Sequence, residues 1–221
     1  MSLDRRVIVQ QAFAILNELG PEALTLRRLA ARLGVQAPAL YWHFSSKQDL
    51  LDEMGTQVIR EAAALAQQAD PAQGWEGWAV EYGTGLRRTL LRYREGARIF
   101  SGTYLTDASL FAAQEASLRR LTDAGFSLRA AVCGMSTLYS YTIGFVIEEQ
   151  AIHPMEGEIN PQYDLAARNQ RIDPETLPLA YAAGREAFLD HDTRFHAGLQ
   201  MIVAGMAKSL PTPPGTAAAQ V

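Results

Sequence analysis

Residues 25–51, which read TLRRLAARLGVQAPALYWHFSSKQDLL, contain a cluster of side chains that are able to bind a polyanion. Arginine and lysine pair with phosphate, and arginine also donates two parallel hydrogen bonds to a guanine edge. Hydroxyl and imidazole groups add further donors for phosphate oxygens. The stretch contains the basic and aromatic residues Arg27, Arg28, Arg32, Tyr41, His43 and Lys47. This composition predicts contacts with the backbone and base edges of DNA.

Groups that would catalyse a reaction do not form a constellation elsewhere in the chain. Glu148 and Glu149 are adjacent, so on a helix their carboxylates point about 100° apart. His191 and His196 are five residues apart, whereas two ligands on one helical face are four apart. Cys133 lies in an uncharged helical segment, which disfavours its thiolate. We therefore expect no catalytic residue, no metal site and no cofactor.

The charge of the chain is unevenly distributed. Residues 1–50 contain six Lys/Arg and four Asp/Glu, which gives a net charge of +2. Because the whole chain has a net charge of −4, the remaining residues have a net charge of −6. A basic head on an acidic body directs one end of the molecule toward a polyanion. A single cysteine rules out a disulfide within the chain, and the N-terminus lacks the pattern of a secretory signal, so a cytoplasmic location is expected.

The elements that must position the basic cluster are short helices. Apolar residues at helical spacing predict a first helix that stops at Gly20-Pro21. Thr25 is predicted to cap a second helix, 26–33, which Gly34 ends in the left-handed conformation. A third helix is predicted from about Gln36 to about Phe44. Together the second and third helices predict a helix-turn-helix.

A long helix is predicted to connect the head to the body. Ser45 or Ser46 is its expected cap, because Ser45 to Gln48 has the spacing of a capping box. The chain is accordingly divided into a DNA-binding domain, a connecting helix, a body and a disordered tail, at 1–47, 48–68, 69–208 and 209–221.

The body is predicted to be helical, and the expected fold class is all-α. Periodic apolar segments cover 79–93, 107–124, 128–150 and 179–207, without an alternating strand pattern. Residues 130–147 carry no charge and reach the lower limit of a membrane span, but their Gly, Ser and Thr content favours a buried helix and no membrane. The proline-containing stretch 153–178 is either a mobile surface loop or a lid over a ligand site.

The head contains the tract LYWHF followed by SSK, at residues 40–47, after the LGV of residues 33–35. With these motifs the chain resembles the TetR family of bacterial regulators. The resemblance extends to the body at 94–97, 102–103, 125–128, 142–144 and 148–150. It implies an all-helical homodimer that represses transcription from a palindromic operator of double-stranded DNA and is released by a small-molecule inducer. The alternative is a dimeric DNA-binding regulator with no small-molecule effector.

The resemblance also implies roles for residues of the head. Phosphate contacts fall on Thr25, Tyr41, His43 and Lys47, while Arg27 and the residues Gln36, Ala37, Pro38 and Ala39 face the major groove. Arg28 is either a further phosphate contact or a solvated side chain. Tyr41 and Trp42 are alternatively core aromatics, with Trp42 expected partly at the groove edge. Because Ala37 and Ala39 replace polar side chains, Arg27 is the main candidate for contacting guanine.

In the body, the resemblance places a ligand pocket that departs from the tetracycline-binding members of the family. Phe100 occupies the position of their metal-ligating histidine, Tyr104 that of an arginine and Ser140 that of a second histidine. A phenyl ring does not coordinate magnesium, so a largely apolar or aromatic inducer is expected in place of magnesium-tetracycline. The candidate ligand residues are Tyr82, Leu86, Phe100, Thr103, Tyr104, Ser117, Met135, Tyr139, Ser140, Phe145 and Glu148. Alternatively, these residues only pack the core.

The dimer is expected to form through a four-helix bundle, with two helices from each subunit. One helix is 128–150. The other carries an apolar stripe of Phe195, Leu199, Ile202, Val203 and Met206, and its Gly198 and Gly205 would allow close helix approach.

Overall fold

The computed structural model describes residues 3–210, and all regular elements in these residues are helical. The predicted all-α class is confirmed. The α-helices in chain order are α1 Arg5–Leu19, α2 Leu26–Leu33, α3 Ala37–Tyr41, α4 Lys47–Gln67, α5 Gly74–Leu91, α6 Gly96–Phe100, α7 Leu110–Asp123, α8 Leu128–Ile152, α9 Leu165–Asn169, α10 Pro178–Phe188 and α11 His191–Ala207. Single 3-10 turns occur at Pro21–Ala23, Pro71–Gln73 and Pro161–Tyr163.

The head is a three-helix unit whose helix ends follow the predicted chemistry. The Thr25 side chain accepts a hydrogen bond from the Arg28 N–H at the start of α2. Gly34 ends α2 with φ 68°, in the left-handed region that favours glycine. Across the α1/α2 interface, Arg32 binds both carboxylate oxygens of Glu18 at 2.6 and 2.7 Å. This bidentate pair links the two helices at the surface of the head.

Helix α3 is shorter than predicted, because it ends at Tyr41 rather than near Phe44. The N–H groups of His43 and Phe44 both donate to the Leu40 carbonyl, so the chain turns while Phe44 becomes fully buried. Ser46, one of the two expected caps, is the residue that caps α4, so the capping box runs from Ser46 to Asp49 rather than from Ser45 to Gln48. The Ser46 side chain accepts from the Asp49 N–H, and Asp49 accepts from the Ser45 N–H.

One apolar core runs from the head into the body. It contains Phe44 of the head, Met54 and Val58 of α4, Leu90 of α5 and Val146 of α8. Burying such a side chain stabilises the folded state by about 1.5–3 kcal/mol relative to leaving it exposed to water. Because the core is continuous, a displacement of the body helices is transmitted to α4 by packing.

A second core lies between α5, α7, α8 and α11 and is built around Trp78, Leu138, Phe195 and Leu199. Beside it, Arg87 is buried and binds both oxygens of Glu149, at 2.7 and 2.6 Å, and Asp192 at 2.6 Å. These ion pairs join α5 to α8 and to α11.

The body departs from the predicted segments at several ends. The expected helix 179–207 is two helices, because Asp190 has φ 55° and breaks the chain direction before α11. Helix α5 begins at Gly74, five residues before the prediction, and the short helices α6 and α9 were not predicted. The stretch 153–178 contains a turn and α9, and Arg168 donates to the Ala180 carbonyl of α10. Residues 211–221 of the predicted tail lie outside the described residues.

The apolar stripe of α11 does not face outward, which corrects the predicted dimer surface. Phe195, Leu199, Val203 and Met206 are buried against the protomer's own core, and Ile202 is half-buried there. Gly198 lies against Tyr141 of α8, so it serves packing within the protomer. The exposed face of α11 carries Ala197, Met201, Ala204 and Gly205 instead. The largest apolar side chains of α11 are covered by α5 and α8 of the same protomer.

Helix α8 also has an exposed face, which carries Val132, Ser136, Ser140, Gly144 and Glu148. Among the described helices, α8 is the one long and apolar enough to span a membrane by length and composition. Its opposite face packs against α5, α6, α7 and α11.

Candidate DNA-binding surface and ligand cavity

The aromatic residues at the end of α3 project into solvent. Tyr41 is 56% exposed and Trp42 is 89% exposed. The alternative in which they are core aromatics of the head is therefore wrong, and the expected partial packing of Trp42 is absent. Large exposed aromatic groups beside a helix-turn-helix are available to contact a partner.

The remaining predicted DNA contacts differ in their exposure to solvent. Arg27, Arg28, Gln36, Pro38 and Lys47 are exposed, and so is Thr25, whose hydroxyl caps α2. Ala37, Ala39 and His43 are half-buried, and Ala37 packs against the head core.

Two arginines of the head have structural partners instead. Arg32 is bound to Glu18, as described above, and Arg5 donates to Glu53 of α4 at 3.1 Å and to the His43 carbonyl. In residues 3–210, Arg27, Arg28 and Lys47 form no ion pair, so their charge remains available at the surface.

A cavity of about 420 Å³ lies in the body between five helices and one loop. Helices α4, α5, α6, α7 and α8 and the loop 101–109 supply its walls. The lining residues are Ile59, Ala62, Ala63, Ala66, Tyr82, Leu86, Phe100, Gly102, Thr103, Leu105, Asp107, Leu110, Phe111, Ala113, Gln114, Ser117, Met135 and Tyr139. A cavity of this size and apolar lining is typical of a small-molecule site.

Seven of the eleven predicted ligand residues line this cavity, namely Tyr82, Leu86, Phe100, Thr103, Ser117, Met135 and Tyr139. The other four are placed elsewhere. Tyr104 is 76% exposed, and Ser140 lies on the exposed face of α8. Phe145 and Glu148 line a second cavity of about 300 Å³ between α8, α10 and α11, together with His191 and Arg194. The expectation of one pocket for all eleven is not met, because the α8 residues that line the two cavities lie on different faces of the helix.

Sequence reasoning missed the α4 wall and most of the α7 wall. Ile59, Ala62, Ala63 and Ala66 recur at helical spacing, but the helix that carries them was predicted only to connect the head to the body. Asp107, Phe111 and Gln114 carry no motif that distinguishes them from surface residues. No residue of 153–178 is among those lining the larger cavity, so within the described residues this stretch does not form a lid over it.

The polar groups of the cavity are held in defined protonation states. Burial raises the pKa of Tyr82 to about 12, with a smaller contribution from Tyr139, and burial also raises the pKa of Tyr139. Both phenols therefore remain hydrogen-bond donors at neutral pH. Hydrogen bonds from the hydroxyl and N–H of Ser109, followed by the interaction with Arg60, lower the pKa of Asp107 to about 2, so this carboxyl is ionised. Among residues 3–210, no group of three His, Cys, Asp or Glu side chains is arranged to hold a metal.

The loop that lines the cavity is bound directly to α4. Thr103 lies against Gly55, where an added methyl group would overlap its hydroxyl. The Thr106 N–H donates to the Thr56 hydroxyl at 2.8 Å, and the Thr106 hydroxyl donates to Glu53 at 3.1 Å. Asp107 accepts from Arg60 at 2.6 and 2.9 Å. Any ligand that displaces the loop therefore acts on α4.

Two sets of contacts link this region to the head. The Glu53 Oε2 atom that accepts from Thr106 also accepts from Arg5 of α1. In addition, the cavity residue Phe100 packs edge-on against Phe13 of α1, with ring centroids 5.9 Å apart, and Tyr93 stacks on Phe13 at 4.3 Å. The cavity wall and the head are thus in contact through one carboxylate and one aromatic cluster.

The fold and these two surfaces define a helix-turn-helix DNA-binding transcription regulator with a ligand-binding body. Residues 8–54 match the family described as bacterial regulatory proteins, tetR family, and residues 68–210 match the tetracyclin repressor-like C-terminal domain. The chain belongs to the TetR family of bacterial regulatory proteins.

Individual relatives agree with this assignment over nearly the whole chain. The tetracycline repressor protein class A from transposon 1721 of Escherichia coli is 37% identical over 209 residues, which cover 93% of this chain and 91% of that protein. The crystal structure of a possible TetR family transcriptional regulator from Streptomyces coelicolor A3(2) has a TM-score of 0.81 at 32% identity and covers 93% of this chain and 99% of that one. The structure of ActR from Streptomyces coelicolor in complex with actinorhodin has a TM-score of 0.79 at 26% identity, covering 95% and 99%.

Proposed function

We propose that this TetR-family repressor acts as a cytoplasmic homodimer that binds a palindromic operator and leaves it when a small, largely apolar or aromatic inducer occupies the body. The observation that carries the proposal is the 420 Å³ cavity whose loop is hydrogen-bonded to α4. Relatives support it, since ActR was crystallised with actinorhodin and a TetR variant from Acinetobacter baumannii with minocycline.

In the head, residues 1–47, we assign the phosphate contacts to Thr25, Tyr41, His43 and Lys47, with Arg28 beside them. Arg27, Trp42 and the first turn of α3, from Gln36 to Ala39, face the major groove. One such head reads only a few base pairs, so discrimination against genomic DNA requires two heads and a two-fold operator. The solvent exposure of Tyr41, Trp42 and Lys47 supports this assignment.

For the body, residues 69–208, we propose that the exposed faces of α8 and α11 form the four-helix bundle of the dimer. These faces carry small and weakly polar residues such as Ser136, Gly144, Ala204 and Gly205, which permit close helix contact. The helix 48–68 connects this body to the head.

Induction requires that the inducer prefer one arrangement of the heads over the other, because equal affinity for both would shift nothing. We assign the moving part to the segment 98–106, which contains Gly102 with φ 74°. A displacement of this segment alters the contacts of Thr103 and Thr106 with α4. Since Glu53 binds both Thr106 and Arg5, the altered contacts change the position of the head.

The proposal is tested by a thermal-shift screen of aromatic compounds on the full chain, followed by anisotropy of a duplex obtained by binding-site selection. An inducer stabilises the folded protein by mass action and releases the duplex. Minocycline with magnesium chloride is the negative control, since Phe100 provides no metal ligand. A screen without any stabilising compound would favour a DNA-binding dimer that has no small-molecule effector.

A further inference from the structure

We propose that the larger cavity selects its ligand by charge, admitting uncharged and cationic aromatic compounds and rejecting anionic ones. This inference rests on the proposed function, because it specifies the class of compound that occupies the same cavity. Apolarity alone would disfavour cations and anions alike, so the argument depends on the charged and polar groups in the wall.

The described residues that line the cavity include no lysine, arginine or histidine. Their donors are neutral groups, the hydroxyls of Tyr82, Tyr139, Thr103 and Ser117 and the Gln114 amide. An anion in this space would lose its hydration shell without gaining an opposite charge, and effective penalties for such burial are several kcal/mol per ion. The wall therefore disfavours carboxylate, sulfonate and phosphate groups.

Among the described residues that line the cavity, the single charged one is negative, so it repels an anion and attracts a cation. Asp107 is ionised because Ser109 and Arg60 stabilise its carboxylate, which keeps its pKa near 2. Its Oδ1 accepts from the Ser109 N–H at 2.8 Å, and both contacts from Arg60 reach the other oxygen, Oδ2. Arg60 itself is not among the lining residues, so the cavity is in contact with the negative member of the ion pair.

Aromatic rings complete a surface that suits a cation. Tyr82, Phe100, Phe111 and Tyr139 come from four different elements and all line the cavity. The faces of such rings carry negative potential and attract a cation that has been removed from water. A planar compound with a delocalised positive charge would gain from both the rings and Asp107, while a neutral analogue would gain from ring packing alone.

The test uses three compounds with the same ring system and DNA-free, full-length protein at pH 8. They are 9-aminoacridine, which is cationic, acridine, which is neutral, and acridine-9-carboxylate, which is anionic. Calorimetric titration is expected to rank affinity in that order, with the anion weaker than the neutral compound by about tenfold or more. An anion that binds as tightly as the cation would overturn the charge selection and leave the proposed function standing. Failure of all three to bind would instead count against the aromatic ligand class itself.

Two variants of one ion pair separate charge from structure. Asp107→Asn removes the carboxylate and leaves the Arg60 charge at the loop, so the ratio of cation to anion affinity is expected to fall. Arg60→Gln breaks the same pair but leaves the carboxylate, so that ratio is expected to rise. If the pair only stabilised the loop, both variants would change the three affinities in the same direction, and that result would overturn the proposal.

Discussion

In the head, Arg27, Arg28 and Lys47 project from α2 and the start of α4 without ion-pair partners in residues 3–210. In the body, Arg87 is buried between Glu149 and Asp192, and Asp107 is held by Arg60. The two regions thus differ, since within the part of the chain that the structure describes these three cations of the head are unpaired at the surface, whereas these charged groups of the body form ion pairs within the fold. The comparison predicts that charge changes in the head alter binding, whereas charge changes in the body alter stability or ligand selection.

The largest expected effect concerns the buried pair of the body. Glu149→Ala removes one partner and leaves Arg87 under-compensated, which is expected to lower the free energy of unfolding by about 3–5 kcal/mol. Chemical denaturation followed by circular dichroism measures this loss.

The double variant Arg87→Met with Glu149→Leu is the control for that experiment. Replacing a buried ion pair by apolar residues of similar volume is often neutral or stabilising. A double variant as unstable as Glu149→Ala would mean that the pair acts through a geometry that packing does not replace.

The next effect belongs to the head, where charge is expected to affect DNA binding and leave the fold unchanged. Lys47→Ala should weaken binding to all duplexes and reduce the slope of log affinity against log salt by about one unit. Arg27→Ala should cost about 1–3 kcal/mol at one position of the selected site and relax specificity there.

The chain provides a matched control, because its second lysine, Lys208, lies at the end of α11 in the body. Lys208→Ala should leave both affinity and salt slope unaltered. Relative affinities for site variants that stay the same in Arg27→Ala would contradict the assigned base contact.

Between head and body, the shared carboxylate of Glu53 is expected to couple the cavity loop to α1. In a double-mutant cycle of Glu53→Gln with Thr106→Val, the two changes in operator affinity should be non-additive by about 0.5–2 kcal/mol. Anisotropy with the selected duplex measures the cycle.

Glu115→Gln serves as the control for this cycle, since Glu115 pairs only with Arg119 on the surface of α7 among the described residues. It should combine additively with Thr106→Val. Additivity of the Glu53 pair as well would exclude this route and leave the contact between Phe100 and Phe13 as the connection to the head.

The smallest effect is a pH dependence that arises in the body. Burial raises the pKa of Tyr82 and Tyr93 from 10.0 to about 12, so their neutral phenols stabilise the folded state fully below pH 10. This stabilisation is lost as pH rises from 10 to 12, because the unfolded chain releases these protons first. Tyr82→Phe should make the free energy of unfolding less dependent on pH in this window. Tyr181→Phe, on the exposed face of α10, should leave the dependence as in the wild type.

The head was largely predictable because its determinants are local. The Thr25 cap, the left-handed Gly34 and the tract from Leu40 to Lys47 lie within a few turns of one another, so residue type and spacing specify the turn and the exposed rings. Even there, α3 ends three residues before the predicted Phe44, and it is the structure that selects Ser46 from the two expected caps of α4.

The cavity was only partly predictable. The resemblance to the family led to seven residues that line it, yet it also led to Tyr104, Ser140, Phe145 and Glu148, which face solvent or a second cavity. A difference of two positions along α8 turns a side chain to another face of the helix, as Tyr139 and Tyr141 show by lining different cavities. The stripe of Phe195, Leu199 and Val203 shows the same limit, since periodicity identifies an apolar face without naming what covers it.

By itself, the sequence determined the helical class, the helix-turn-helix and the charge available for DNA, because helix signals and turn residues act over a few positions. The tertiary structure alone decided which face of α11 is buried, that the cavity is in contact with Asp107 and not with Arg60, and that Glu53 binds both Thr106 and Arg5. These features join residues that are tens of positions apart. Their geometry depends on how complete helices pack, and no local pattern encodes that packing.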